Sequence, residues 1–500
     1  MQRKQFNKID IVLSIVACSV LILLFLKAIF DMDPNYDVSW YHLPFAARIW
    51  RIVPEELFTS GARFEYRYDG FPLLANFFQG FLWKITGRVQ AANLVGYFSV
   101  IIYLIFLRNR FQIPLYIATI AIFTIPAVVI HARTGFVDLP GNIGASILMM
   151  MLYSFFEQSK LPSKRELLLA FLGAATAANT KPQLQPLVFV LCSVLAVRLA
   201  YLYWKYTKAA ERQFPTAILL SIFAAILIFA TPVKNVVLHG NPFYPIKIEV
   251  AGIVLNHEMT PETYNEGNRP QKWLRSIFEI NTPEWSAEQS NRTNNPKYLD
   301  RAGGFFGAYV IFNLLLLLVQ AIKEQIDQKK QKFERRNQAT VALIVILLVS
   351  LIPANFPQSH ELRYFMFWMI VLVSLNLYLV FSKLVSHKNW FDSKYLKLAY
   401  LLFFIVMCAK MELSYLTPNF RTLQVRLDRV IDTRTLSQIS PGRENCIISK
   451  HGLNLANAVS VRDVFYYNSY FHPEIQPEYS IKVADDIEQC GSLNIVLRKK

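Results

Sequence analysis

After Asp10 the chain runs IVLSIVACSVLILLFLKAIF, and comparable apolar runs recur to residue 411. A run of about twenty such residues is long enough to cross a bilayer, so most of this chain has to satisfy its backbone inside helices. Runs fall at 11–30, 89–107, 113–130, 138–156, 166–180, 184–204, 215–236, 303–322, 339–355, 364–382 and 395–411. They predict an α-helical polytopic membrane protein of about eleven crossings. Composition agrees: 54% of residues are hydrophobic and only 17% charged, which excludes an ordinary soluble domain. The formal charge of +17 suggests nucleic acid at first sight. Its lysines and arginines, however, fill short gaps between apolar runs rather than one basic face, which argues against that partner. Met1 to Asp10 has a basic start, but the run behind it is too long for a signal peptide core and lacks a small-residue cleavage site, so it reads as a retained first span.

With the N-terminus inside, the inner gaps become RNRFQ, EQSKLPSKRE, KYTKAAERQF, KEQIDQKKQKFERRNQ and KLVSHKNWFDSK, each rich in Lys or Arg. The positive-inside rule is met throughout. The long segments 31–88, 237–302 and 412–500 then lie outside. In the first, YHLPFAARIWRI and FPLLANFFQGFLWKITG are apolar on part of their circumference, as helices lying in the membrane interface are. The last segment opens with helical spacing, then shows strand-like CIISK, VFYYNSYF and LNIVLRK. It predicts a small α/β domain of residues 412–500 following a transmembrane part of residues 1–411. Cys446 and Cys490 in that domain are either a disulfide or two separate buried thiols.

This threading gathers chemistry on one face. Asp31, Asp33, Asp37 and His42 share the outer side with His131, Arg133 and Asp138, with Lys181, with HGNPFYP around Asn241, and with His360, Glu361 and Arg363. Charge near hydrocarbon is costly unless paired or solvated, so a cluster drawn from several loops points to a cavity. Each member also has an ordinary role: Asp31 and Asp33 as the polar end of the first span, Lys181 as a snorkelling side chain, the arginines as local ion-pair partners. Asp138, ahead of Leu-Pro at the start of a strongly apolar run, needs a partner most, and Arg133 is the nearest in sequence. Gly-Asn-Pro at Asn241 is turn chemistry.

DVSWYHLPFA, Asp37 to Ala46, resembles the D-x-x-x-Y-H-L-P element in the first external loop of bacterial integral-membrane glycosyltransferases of the GT-C fold. RTGFVDLPGNIGA, TKPQLQPLVFVL, LHGNPFYPIKI and ELRYFMFW extend the resemblance, in order, over roughly residues 10 to 380. The family includes aminoarabinose transferases, protein O-mannosyltransferases and oligosaccharyltransferases, which use sugars on polyprenyl phosphate or diphosphate carriers. The resemblance implies an inverting transferase in a bacterial cytoplasmic membrane, taking a sugar from a polyprenyl-phosphate donor to an envelope glycan, lipid or protein acceptor. Asp37 is then the general base, with Asp138 the second acidic position. Lys181, Arg363 and His360 stabilise the departing phosphate, and Tyr41, His42, Arg133 and Asn241 line or shape the pocket. No cofactor is assigned; a divalent cation could be held, with a diphosphate, by the acidic pair Asp31 and Asp33. The Asp-Glu pair of many relatives is missing, since Val38 follows Asp37, and no Trp-Trp-Asp signature is present. Two other functions fit outer-face charge: a lipid-linked-glycan polymerase or ligase using arginines of the 237–302 segment, and a lipid-linked-sugar flippase or transporter. The second sits poorly with a chain that shows no internal repeat.

Overall fold

The computed structural model describes residues 8–33, 35, 37–52, 65–158, 160–208, 214–260, 267–280, 304–331, 337–381, 393–411, 415–420, 440, 443–448, 481–484 and 487–497. These residues are predominantly helical. The first helix, α1 (Lys8–Phe30), leads to three short helices, α2 (Leu43–Ile49), α3 (Glu65–Gly70) and α4 (Leu74–Thr86). Next come α5 (Leu94–Phe111), α6 (Leu115–Phe123), α7 (Pro126–His131), α8 (Asp138–Glu157), α9 (Lys164–Ala178) and α10 (Gln185–Tyr206). After α11 (Phe214–Ile228) and α12 (Ala230–His239), strands β1 (Glu249–Val250) and β2 (Ile253–Val254) form an antiparallel hairpin. Helices α13 (Arg269–Ile277), α14 (Gly307–Gln331), α15 (Gln338–Asn355), α16 (Met366–Phe381) and α17 (Ser393–Lys410) complete the helical part.

Seven of these, α1, α5, α8, α10, α14, α15 and α16, taken with their short lead-in turns, are long and apolar enough to cross a membrane. Helices α11 and α12 would supply an eighth crossing, but they are bent by 73°. Pro232 lies in the first turn of α12, where a missing N–H is tolerated and an unbroken continuation from α11 is not. The other three expected spans fall on shorter or more charged helices. Run 113–130 is split into α6 and α7 ahead of Pro126, and both pieces are buried within the bundle. Run 166–180 becomes α9, only 15 residues long, and α17 carries Lys394, Lys397 and Lys410. Within the first loop α4 spans 13 residues, too short to cross. It buries Asn76, Gln79 and Trp83 while exposing Phe77, Phe78 and Phe81, the two-faced pattern of an interfacial helix.

Helices α8 and α16 are buried along nearly their whole length, whereas α1, α10 and α11 turn large apolar side chains outward. In hydrocarbon such exposure costs little, and helix association relies on close packing and on hydrogen bonds instead. Helices α8 and α9 pack closely along their length. A Cβ on Gly144 would stand 2.8 Å from the Gly173 carbonyl oxygen, and one on Gly173 the same distance from the Gly144 carbonyl. Deeper in the bundle, Asn376 Nδ2 donates to Asn313 O at 2.8 Å and Tyr400 donates to Asn313 Oδ1 at 3.1 Å, tying α14, α16 and α17.

Near the C-terminus, β3 (Asn445–Ile448), β4 (Ile481–Ala484) and β5 (Asn494–Leu497) make a parallel sheet in the order β4-β3-β5. Cys446 and Cys490 are joined by a disulfide, which decides between the two readings of that pair. CIISK and LNIVLRK supply β3 and β5; β4, from IKVA, was not foreseen. VFYYNSYF and the helical stretch 421–439 lie outside the described residues.

Gly173→Val places a branched side chain against the α8 backbone. It is expected to destabilise the protein by about 1–3 kcal/mol, read as a lowered thermal midpoint of the detergent-solubilised full chain, while a Val at exposed Leu172 leaves the midpoint unchanged.

Candidate functional site

Asp37 precedes one π-helical turn, Val38–His42, that runs straight into α2, with Pro44 accommodated in the first helical turn. Wide turns of this kind are frequent at functional sites. Asp138 is the first residue of α8, where a carboxylate is favoured by the helix dipole. Lys181 sits between α9 and α10, just before the turn Pro182–Leu184. Arg363 lies in the turn Leu362–Phe365 that opens α16. Four chain segments, separated by up to 326 residues, thereby meet.

The pairing is specific. Lys181 Nζ donates to Asp138 Oδ1, and the Lys181 ammonium stands 4.4 Å from the centre of the Tyr364 ring. Arg363 Nη1 donates to Asp37 Oδ2 at 3.2 Å and Nη2 to the Tyr364 hydroxyl at 3.2 Å. Its Nε lies 3.1 Å from Glu361 Oε2, an ion pair without hydrogen-bond alignment. Asn142 on α8 holds the frame: Nδ2 donates to the carbonyls of Asp138 (2.8 Å) and Arg363 (3.1 Å), and Oδ1 accepts from Phe367 N at 2.9 Å.

A cavity of about 350 Å³ opens over this array, with Asp37, Arg67, Lys181 and Arg363 on its wall beside Tyr41 and His42. Ile246, Met259 and Thr260 of the 237–302 segment close one side. There Met259 N donates to Pro245 O and its carbonyl accepts from Lys247 N, so the loop is folded back on itself. The expected convergence of first-loop acid and distant cations on one cavity is thus present.

Comparison of the chain with protein-family models, with curated proteins and with solved structures finds no match. The site therefore has to be read from its own geometry.

That geometry redistributes several expected roles. Asp138 does not border the cavity; it is fully buried and holds Lys181, so the partner it needs is Lys181 and not the sequence neighbour Arg133. Arg133 instead lies 4.7 Å over the Tyr415 ring. His360 is likewise away from the cavity wall. Asn241 is a turn residue and no pocket residue: Nδ2 donates to Ile246 O and Asn256 O, and Oδ1 accepts from Phe243 N. Asp31 and Asp33, the acidic pair considered for a divalent cation, are hydrogen-bonded to different partners. Asp31 accepts from Lys27 Nζ (2.7 Å) and from Asn419 N (3.0 Å to each oxygen). Asp33 accepts from Asn35 and from Gly135 N at 2.8 Å, while burial, the largest influence, pushes its carboxyl above the usual range.

Residues that sequence reasoning missed are Arg67, whose guanidinium lies 5.1 Å over the Tyr41 ring, together with Asn142 and Tyr364. Arg67 stands between the two stretches read as interfacial helices, and nothing in the spacing of RFEYRYDG marks it.

His42 is kept neutral. Burial pulls its imidazole down to about 3, against the opposing pull of Asp37. The unfolded chain takes up this proton near pH 6.5, the native state only near 3, so stability present above 6.5 is lost as pH falls through that window. The His42 share is about 1.4 kcal/mol per pH unit inside it. A thermal-midpoint titration of wild type against His42→Gln should show the extra slope only in wild type. At the buried pair, Lys181→Met leaves the Asp138 charge uncompensated and is expected to cost about 3–5 kcal/mol. Lys181→Met with Asp138→Leu should recover most of that loss in the same unfolding measurement.

Proposed function

We propose that the chain is a membrane glycosyltransferase that moves a sugar from a polyprenyl-phosphate donor to an envelope glycan, lipid or protein acceptor at the outer face of a bacterial cytoplasmic membrane. The observation that carries this reading is the placement of one carboxylate, Asp37, on the wall of the same cavity as Lys181, Arg363 and Arg67. Transfer from a phosphate carrier needs a proton acceptor for the attacking hydroxyl or amine and cations where charge grows on the departing phosphate. Both are present. Asp37 keeps one oxygen on Arg363 and serves as base. Lys181, held by Asp138, and Arg363, held by Glu361, meet the phosphate. One base and one good leaving group suffice for inversion without a glycosyl-enzyme intermediate.

The proposal includes eleven crossings, with α6–α7, α9, α11–α12 and α17 embedded beside the seven long spans, and a small external domain built on the β4-β3-β5 sheet. The Cys446–Cys490 disulfide supports placing that sheet outside, since such bonds persist in oxidising compartments. The basic gaps at 108–112, 157–166 and 323–338 support an inner face at the opposite end.

Asp37→Asn removes the proton acceptor and keeps the shape. Transfer in proteoliposomes is expected to fall about 10²–10⁴-fold with donor binding retained; undiminished turnover excludes Asp37 as base. In intact cells, an impermeant maleimide should label cysteine at exposed positions 51 and 252 and spare position 160; the reverse pattern overturns the orientation.

A further inference from the structure

Behind the cavity wall a short relay of buried amides ends on His42. Gln79 Nε2 donates to the Gly135 carbonyl at 2.6 Å, which leaves Gln79 Oε1 to accept from Asn76 Nδ2 at 3.0 Å. The same Asn76 nitrogen lies 3.1 Å from the His42 carbonyl oxygen and 3.3 Å from His42 Nδ1. Each amide is thereby oriented by a backbone carbonyl, which accepts only; Asn76 Nδ2 has two hydrogens for three neighbours, so the one aimed at the His42 carbonyl is shared with the imidazole, and because an amide NH2 cannot accept, the nitrogen that faces it bare is Nδ1. The ring proton then sits on Nε2. That nitrogen is buried and has no hydrogen-bond partner among the described residues, although His42 borders the cavity and is 4% exposed. Thr180 Oγ1, on another part of the same wall and 2% exposed, is also without a partner. A donor without a protein partner on the wall of a cavity is placed to meet what enters it.

We propose that His42 is a specificity-determining residue whose Nε2–H donates a hydrogen bond to a hydroxyl or ring oxygen of the sugar, with the Thr180 hydroxyl as a second contact. The inference rests on the glycosyltransferase reading and deepens it. Phosphate is matched by the cations Lys181, Arg363 and Arg67; a neutral N–H held in one tautomer is suited to an uncharged oxygen. Asn76 and Gln79 act through His42 and are positioning residues. A sugar that lacks the matching oxygen leaves the imidazole N–H buried and unmet, which is the strongest form of discrimination between similar ligands.

The full-length protein is tested by calorimetric titration with citronellyl phosphate and with citronellyl phosphate esters of mannose, glucose, N-acetylglucosamine and arabinose. Wild type is expected to bind at least one sugar ester more tightly than the sugar-free phosphate. His42→Asn, which keeps a polar group near Nδ1 only, should weaken that ester about tenfold and leave citronellyl phosphate unchanged. His42→Gln, whose amide N–H reaches the Nε2 position, should recover most of the loss. Nitrogen NMR of histidine-labelled wild type, which needs no variant, should show Nε2 protonated and Nδ1 bare. Equal weakening of sugar-bearing and sugar-free probes, unchanged ester binding in His42→Asn, or a proton on Nδ1 overturns the assignment of His42 alone. Wild type that binds none of these lipid phosphates overturns the transferase reading, and the sugar contact falls with it.

Discussion

A buried ammonium that answers a buried carboxylate organises this molecule: Lys181 against Asp138. Neither charge is stable alone in a low-dielectric interior, so the start of α8 and the junction of α9 and α10 have to meet. The contact between Gly144 and Gly173 lets the two helices come close enough for it. Once Lys181 is fixed, Tyr364 lies beneath it and Arg363 beside that ring, reaching Asp37. Asn142 ties the Asp138 and Arg363 backbones together, so the cationic side of the cavity is held by the core of the bundle.

What the sequence made legible follows from the physics of each signal. Apolar runs announce helices, because hydrocarbon leaves the backbone few alternatives. Hydropathy alone does not separate a crossing from a buried half-length helix, which is why 113–130 read as one span although Pro126 divides it into α6 and α7. Charges stranded between apolar runs announce the site, and Asp37, Lys181 and Arg363 were found that way. Pairing between distant residues leaves no local trace. Arg133 was the near partner for Asp138, yet Lys181, 43 residues on, is the actual one. Asn142 and Asn76, uncharged amides inside helices, gave no signal at all, although each positions a functional side chain.

Polar groups elsewhere in the bundle follow the same rule of mutual satisfaction. Asn313, Asn376 and Tyr400 form one hydrogen-bonded set among α14, α16 and α17. At the basic end, Glu166 accepts from Arg110 at 2.5 Å and closes a capping box with Ser163 at the start of α9. Glu324 accepts from the N–H groups of Ala339 and Thr340 that open α15. Such contacts fix helix register where lipid-like side chains alone would permit sliding.

The junction at the end of α1 has a further consequence. Lys27 Nζ donates to the Thr417 carbonyl at 2.9 Å while Asp31 takes the Asn419 N–H, so the exit of the first helix and the segment that follows the last one are joined by two hydrogen bonds. The Lys27–Asp31 ion pair is local, at i and i+4, while its two backbone partners come from the far end of the helical part. The packing of α1 is thus completed by a segment 390 residues further along the chain.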